Sequence, residues 1–210
     1  MTDLLVIAKQ PLPGRVKTRL TPPFTPREAA ELAEAALADT LAAALLVPAA
    51  RHVLVLDGRP GPWLPPGFEI VPQAAGGLDA RLAAAFAGCP GPALLIGMDT
   101  PQVTPGLLAP ALCWEAHDAW FGPAADGGFW ALGLAAPDPA LLLGVPMSRP
   151  DTGALQRRRL GAAGLRVGTL PVLRDVDTAE DAAFVAAEAP GTRFAARHGA
   201  LTARVAGAVG

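Results

Sequence analysis

The chain has 210 residues, enough for one well-buried domain and too few for a second of similar size. Its net charge of −2 argues against a nucleic-acid partner. No apolar run approaches the roughly 20 residues that a membrane span needs, and no basic region precedes the first apolar run. We therefore expect a cytoplasmic protein without a signal peptide or membrane span.

The first half of the chain alternates short apolar runs with helix patterns. Strands are predicted where such runs end in a turn, at residues 4–8, 53–56, 69–71 and 93–96. Thr25 and Glu28 form a capping box before a helix that ends before Pro48. A second helix is predicted at 78–87, and Thr104 begins a third that reaches about residue 116.

The second half continues the alternation. Strands are predicted at 119–121, 129–134, 166–170 and 172–175. Thr152 is predicted to cap a helix that reaches residue 160. Thr178, with Asp181 three residues later, caps another to residue 188. The end of the chain, about residues 200–210, is expected to fray.

This order predicts an α/β fold, with a mostly parallel mixed sheet covered on both faces. No repeat or linker divides the chain, so one domain spanning residues 1–210 is expected. In open α/β sheets, ligands bind outside the carboxyl ends of the strands. Four polar segments fall at such places.

The first segment, AKQPLPGRVKTRL, is rich in cations within a chain that is poor in charge. It gathers Lys9, Arg15, Lys17 and Arg19 around Gly14. The last three cations are spaced two apart, so an extended loop would point them the same way. Arginine binds phosphate through two parallel hydrogen bonds, and lysine adds a mobile point charge. This mixture of cations suits a di- or triphosphate. A solvated basic loop is the alternative.

The other three segments offer carboxylates. Asp99 follows a strand, and Mg²⁺ often uses one or two protein carboxylates together with substrate phosphates. Asp126 lies in an Asp-Gly-Gly turn between two strands. Asp175 or Asp177 would serve as a second metal ligand. For each of these residues a turn or helix-cap role is the structural alternative.

Together the segments resemble the DUF2064 group of GT-A-fold transferases, proposed glycosyltransferases. They resemble more distantly small nucleotidyltransferases such as phospholactate guanylyltransferase and the molybdenum-cofactor nucleotidyltransferases. The matching stretches are AKQPLPGRVKTRL, LLIGMDTPQVTPGLL, GPAADGGFWALGL and LRDVDTAEDA, in order over nearly the whole chain. The resemblance implies a Rossmann-like three-layer α/β/α sandwich.

The resemblance also implies roles. Donor phosphates would be bound by the cations of the first loop together with its glycine, namely Lys9, Gly14, Arg15, Lys17 and Arg19. Asp99 would bind the divalent metal with Asp177 as its partner, and Asp126 would lie near the acceptor or the metal. The catalytic residues would be Lys17, Asp99 and Asp126.

One further segment departs from the family pattern. Members of the family usually carry an acidic-Leu-Gly-x-Arg stretch before the second helix. This chain reads GGLDAR there, so Gly77 occupies the position of the acid and an acid follows instead at Asp79. Arg81 is retained and is assigned to nucleotide binding.

The expected activity is a metal-dependent transfer with Mg²⁺ or Mn²⁺, a nucleotide-sugar or NTP donor and a small-molecule acceptor. Glycosyl transfer follows from the family label. Nucleotidyl transfer is the alternative, because a lone Asp99 differs from the paired DxD carboxylates of glycosyltransferases and the cationic loop suits a triphosphate. A non-catalytic nucleotide-binding module is the third. A homodimer is compatible with the sequence.

Overall fold

The protein is described by a computed structural model that covers residues 1–207. Seven strands form one mixed sheet in the order β3-β2-β1-β4-β6-β5-β7. All neighbouring strands are parallel except β6, which runs antiparallel to β4 and β5. The strands are β1 (Asp3–Lys9), β2 (His52–Asp57), β3 (Glu69–Pro72), β4 (Ala93–Gly97), β5 (Ala119–Pro123), β6 (Phe129–Leu134) and β7 (Val167–Thr169).

Six α-helices connect or flank the strands. They are α1 (Pro26–Leu45), α2 (Leu78–Ala87), α3 (Pro105–Leu108), α4 (Thr152–Ala162), α5 (Ala179–Glu188) and α6 (Arg193–Gly207). The capping box that begins α1 is confirmed, because the Thr25 hydroxyl accepts from the Glu28 N–H and the Glu28 carboxylate accepts from the Thr25 N–H. The capping box of Thr178 and Asp181 likewise begins α5.

The helices cover both faces of the sheet, as predicted. Along β1, Leu4, Val6 and Ala8 pack into an apolar cluster that contains α1. Leu5 and Ile7 point to the opposite face, whose cluster contains side chains of α2 and α4. A third cluster joins α5 and α6 to the outer side of α1. The predicted α/β sandwich with a mostly parallel mixed sheet is confirmed.

Three local predictions are wrong. The helix that begins at Pro105 gives way to a 3-10 turn, Ala109–Leu112, because Pro110 has no N–H to donate to the carbonyl four residues earlier. Thr152 is the first residue of α4 instead of its cap, and its hydroxyl binds the Pro146 carbonyl at 2.9 Å. Residues 172–175 form only one isolated bridge, at Leu173.

The described end of the chain forms a helix that the sequence analysis did not predict, while the expected fraying of about residues 200–210 stays a prediction. Residues expected to fray belong to α6 as far as residue 207, and residues 208–210 lie outside the described part. Asp39 of α1 accepts hydrogen bonds from the N–H groups of Arg193 and Phe194, and so satisfies two backbone donors at the start of α6. Among the helices described, none is both long and apolar enough to cross a membrane.

Candidate active site

A cleft of about 800 Å³ opens at the carboxyl ends of β1 and β4. Because β6 is antiparallel, the turn between β5 and β6 reaches the same edge of the sheet. The loop after β1, the start of α2 and the segment that follows β7 complete the walls. This position matches the rule that α/β sheets bind ligands beyond their strand ends.

The cationic loop after β1 is folded instead of extended. Lys17 has left-handed backbone angles, φ 49° and ψ 41°, and precedes the 3-10 turn Thr18–Leu20. Val16 and Leu20 are buried and anchor the loop on either side of Lys17. The expectation that an extended loop points every second side chain the same way is therefore wrong here. Arg15, Lys17 and Arg19 nevertheless all line the cleft.

Lys17 lies between two of the predicted carboxylates. Its Nζ is 2.9 Å from Asp99 Oδ1 and 4.0 Å from Asp177 Oδ1, and its side chain is only 8% exposed. Arg19 Nη1 is 2.8 Å from Asp177 Oδ2. The loop is thus tied by ion pairs to the carboxylates that the sequence predicted as metal ligands.

The segment after β7 carries two aspartates into the cleft. The Val176 N–H donates to the Asp99 carbonyl at 2.9 Å, and Gln102 Nε2 donates to the Arg174 carbonyl at 2.8 Å. Val176 is 1% exposed, while Asp175 and Asp177 on either side of it both line the cleft. A pair of aspartates two residues apart is thereby held beside Asp99.

Asp175 is a cleft carboxyl whose pKa is raised. Burial, followed by the nearby carboxylates of Asp99 and Asp126, raises the pKa of Asp175 to about 7. Lys17 acts in the opposite direction, and Asp177 adds to the increase. The sequence singled out Asp175 only as the alternative to Asp177, and its Asp-x-Asp spacing was the available signal.

Asp126 lies in an exposed turn that the fold holds tightly. Its Oδ1 accepts from the Gly128 N–H at 2.8 Å. Gly127 has a φ of 89°, and a Cβ atom there would lie 1.9 Å from the Pro150 carbonyl oxygen. The Gly127 carbonyl accepts from the Gly153 N–H at 2.8 Å. Glycine is required because the turn packs directly against the loop before α4.

Arg81 lies on the opposite wall, where its guanidinium is already paired. Nη1 donates to Asp57 Oδ2 at 3.0 Å and to Gln73 Oε1 at 3.1 Å, and Nε donates to the Gly76 carbonyl at 3.0 Å. Asp79 accepts from the Gly144 N–H at 2.9 Å, and this bond lowers the pKa of its carboxyl. The displaced acid of the GGLDAR segment is therefore engaged with the protein's own backbone.

The cleft brings together all the predicted site side chains: Lys9, Arg15, Lys17, Arg19, Arg81, Asp99, Asp126 and Asp177. Gly14, with a φ of 73°, shapes the loop from outside this lining. Within residues 1–207, Lys9 and Arg15 form no ion pair. Over the same residues, no three His, Cys, Asp or Glu side chains are arranged to hold a metal ion.

Solved structures that share this architecture include proposed and established nucleotide-dependent transferases. The chain is similar to a protein from Desulfovibrio desulfuricans G20 proposed to be a nucleotide-diphospho-sugar transferase, at 27% identity over 85% of this chain and 84% of that one, with a TM-score of 0.76. The predicted class, a nucleotide-dependent transferase, is confirmed at that level.

A family model described as an uncharacterized protein conserved in bacteria (DUF2064) matches residues 31–149, and the chain belongs to this family. The matched range contains Asp99 and Asp126, whereas the cationic loop and Asp177 lie outside it. No curated protein matches the chain.

Two further structures share the fold at lower identity. The manganese complex of Rv0371c from Mycobacterium tuberculosis H37Rv is 22% identical over 88% of this chain and 96% of that one, with a TM-score of 0.54. The 2-C-methyl-D-erythritol 4-phosphate cytidylyltransferase from Thermus thermophilus is 20% identical over 90% of this chain and 100% of that one, with a TM-score of 0.55. These two similarities support the fold.

Proposed function

We propose that this protein is a divalent-metal-dependent glycosyltransferase that moves a sugar from a nucleotide-sugar to a small-molecule acceptor. The observation that carries the proposal is one cleft in which cations without an ion-pair partner among the described residues, Lys9 and Arg15, face a group of carboxylates around Asp99. Cations bind the donor's diphosphate, and carboxylates suit a hard divalent ion. The similarity to the Desulfovibrio protein supports the same class.

The donor's phosphates bind at the loop after β1 in this proposal. Arg15 is exposed in the cleft, forms no ion pair within residues 1–207 and offers two parallel N–H donors to phosphate oxygens. Lys9 adds a second available charge at the end of β1. Arg19 is held by Asp177 and acts with it as one wall of the phosphate site.

The residues near Asp99 fit a divalent ion on two observations. Lys17 places a cation within 4.0 Å of both Asp99 and Asp177, so this position already favours positive charge. The buried hydroxyl of Thr100, next to Asp99, has no hydrogen-bond partner among the described residues. Asp99 would hold the ion with Asp175 or Asp177, and the bound ion would neutralise charge on the diphosphate. The Rv0371c structure contains manganese, which supports such an ion here.

Lys17 then has two positions. Its ammonium pairs with Asp99 in this structure and would turn to the donor phosphates, while an ion held by Asp99 with Asp175 or Asp177 would supply the positive charge that these carboxylates need. The two arrangements keep the cleft close to charge balance. Lys17 and Arg15 stabilise the negative charge that grows on the leaving diphosphate.

In the transfer itself, the acceptor's hydroxyl oxygen forms a bond to the anomeric carbon as the bond from that carbon to the diphosphate oxygen breaks. The nucleoside diphosphate leaves with the electron pair. Asp126, exposed in the cleft, accepts the hydroxyl proton. The tight packing of the turn against Pro150 holds this carboxylate in place.

Nucleotidyl transfer is the second candidate. Asp99 is followed by Thr100 and Pro101 instead of a second nearby acid, unlike the paired carboxylates typical of glycosyltransferases. In that reaction a phosphorylated acceptor attacks the α-phosphate of an NTP and pyrophosphate leaves. A nucleotide-binding module without turnover is the third candidate.

Product analysis separates the candidates. The protein is incubated with Mn²⁺ and an acceptor panel, first with UDP- and GDP-sugars and then with NTPs. Release of nucleoside diphosphate only in the presence of an acceptor supports glycosyl transfer, and pyrophosphate from an NTP supports nucleotidyl transfer. Asp99→Asn is the control for a contaminating hydrolase, because it removes one ligand charge with little change in shape. Nucleotide binding without either product would support only the third candidate, a nucleotide-binding module without turnover.

A further inference from the structure

The charged end of the cleft combines the cationic loop after β1 with two acidic segments, the loop after β4 and the segment after β7. The two acidic segments are distant in the chain, and between them they carry Asp99, Asp175 and Asp177. A small divalent ion such as Mg²⁺ demands near-ideal ligand geometry. The contacts that hold one acidic segment against the other therefore decide whether these carboxylates suit such an ion.

The segment after β7 changes its backbone partners just before it reaches the cleft. At Leu173 it still follows the β5 side of the sheet. The Leu173 N–H donates to the Pro123 carbonyl at 3.2 Å, and the Leu173 carbonyl accepts from the Ala125 N–H at 2.8 Å. From Arg174 onward, the backbone hydrogen bonds of the segment run to the loop after β4 instead.

Two hydrogen bonds to that loop lie on either side of Asp175. On one side, the Arg174 carbonyl accepts from Gln102 Nε2 at 2.8 Å. On the other side, the Val176 N–H donates to the Asp99 carbonyl at 2.9 Å. Because both partners belong to one short loop, the position of Asp175 relative to Asp99 depends on this pair of contacts.

The side chain of Gln102 makes one hydrogen bond within the described residues. Its Oε1 is buried and has no partner there, so the bond from Nε2 fixes how the amide is oriented. A buried amide oxygen without a partner costs free energy that an apolar side chain of similar shape would not cost. Gln102 is not part of the cleft lining, so contact with a ligand does not explain it. The bond to the Arg174 carbonyl is the contribution that remains.

The loop that carries Gln102 is itself well held. Pro101 and Val103 on either side of Gln102 are buried, and the Val103 N–H donates to the Thr100 carbonyl at 3.0 Å. A side chain whose neighbours are fixed by packing can place another segment accurately. Gln102 therefore presents its amide from a rigid support.

We propose that Gln102 is a positioning residue, whose amide holds the segment after β7 at Arg174 and so sets the distances from Asp175 and Asp177 to Asp99. This inference rests on the proposed function, in which these carboxylates hold a divalent ion. Without the amide donor, the segment can move away from the loop after β4, and the ligand set of the ion is weakened. Gln102 acts through the backbone of the segment, without contact with the ion or the donor.

The test compares two glutamines of matched chemistry. Gln102→Met removes the donor and keeps a side chain of similar length. Gln156→Met is the control, because Gln156 Nε2 donates to the Leu141 carbonyl at 2.9 Å and its buried Oε1 also has no partner among the described residues. Gln156 lies in α4 and outside the cleft lining. Each variant loses one amide-to-carbonyl hydrogen bond, and only Gln102→Met loses it beside the carboxylates.

Two measurements separate positioning from general stability. Calorimetric titration of Mn²⁺ alone gives the metal affinity, and hydrogen exchange gives the protection of the Val176 N–H. For Gln102→Met we expect about tenfold weaker Mn²⁺ binding and about tenfold faster exchange at Val176. For Gln156→Met both should equal the wild type, although this variant also loses stability. If Gln102→Met does not fold, Gln102→Asn, whose amide is one carbon shorter in reach, should give the same two changes at smaller size.

Equal Mn²⁺ affinity in the wild type and the Gln102 variant would overturn the inference, and so would an equal loss in the Gln156 control. Weaker Mn²⁺ binding with unchanged exchange at Val176 would also overturn it, because the effect would not pass through the segment. In each of these cases the wild type binds Mn²⁺ and the proposed function stands. Failure of the proposed metal dependence gives a different result, since the wild type itself would bind no Mn²⁺ with or without nucleotide, and the inference would fall with it.

Discussion

The two ends of the cleft differ in how far the protein satisfies its own groups. At the charged end, Lys17 is held by Asp99, while Arg15 is left unpaired among the described residues. At the other end, near Phe129, the guanidinium groups of Arg81 and Arg149 are paired with carboxylates, and apolar side chains are left partly uncovered. Groups left unsatisfied are those that a ligand must satisfy, so the contrast marks the charged end as the part of the cleft that suits a charged ligand.

The largest effect is expected at Asp99. Asp99→Asn keeps the shape of the side chain and removes its charge, so transfer should fall about 100- to 1,000-fold. Binding of a nucleoside diphosphate with Mn²⁺ should weaken at the same time. Measurement of turnover and of the nucleotide affinity checks this prediction. Unchanged turnover in Asp99→Asn would contradict the role given to this carboxylate.

Lys17 offers a sharper test, because one substitution should move two affinities in opposite directions. Lys17→Met removes the ammonium that now neutralises Asp99, so Mn²⁺ binding without nucleotide should become about tenfold tighter, while nucleotide binding weakens. Calorimetric titration of Mn²⁺ measures the first effect. Lys9→Met is the matched control, since Lys9 lines the cleft without a carboxylate partner among the described residues. Unchanged Mn²⁺ affinity in Lys17→Met would refute the account of the two lysine positions.

Arg15→Ala should weaken nucleoside diphosphate binding roughly 5- to 10-fold, because it removes charged hydrogen bonds to phosphate. Its thermal stability should equal that of the wild type, since the side chain is exposed. Arg158→Ala, an exposed arginine of α4 that does not line the cleft, should have no effect. Equal losses in the two variants would place the phosphates elsewhere.

The smallest effect concerns stability and pH at Asp175. Because its pKa in the folded protein, about 7, lies above its ordinary value, wild-type stability falls as pH rises toward 7, and the cost is complete above it. Asp175→Asn avoids this cost. In the presence of a chelator the variant should be more stable than the wild type at pH 8 and equal to it near pH 4. Unfolding by urea at both pH values measures this, and an equal gain at pH 4 would contradict the electrostatic cause.

The fold was largely readable from the sequence because its signals are local. Capping boxes begin α1 and α5, and the bounds of α2 and β6 agree with the prediction to the residue. The start of α6 was missed although it carries a local signal, since the Thr192 hydroxyl accepts from the Ala195 N–H at 3.1 Å. The part that neighbouring residues do not reveal is the contribution of Asp39, which accepts from the Arg193 and Phe194 N–H groups and lies more than 150 residues earlier in the chain.

The sequence predicted which residues form the candidate site better than it predicted their geometry. The carboxylates and cations that the sequence selected do meet in one cleft. The left-handed backbone of Lys17 was not predictable, because it accompanies the burial of Val16 and Leu20 on either side. The hydrogen bond from Val176 to the Asp99 carbonyl sets how Asp175 and Asp177 enter the cleft, and this contact joins distant parts of the chain.

The most direct test of the central claim is calorimetric titration of UDP, GDP, CDP and ADP into wild type and Arg15→Ala, each with and without Mn²⁺. The account predicts that at least one nucleotide binds the wild type, that Mn²⁺ tightens this binding, and that Arg15→Ala weakens it. Absence of binding by every nucleotide, or binding that depends on neither Mn²⁺ nor Arg15, would contradict the assignment of the charged end to a nucleotide donor.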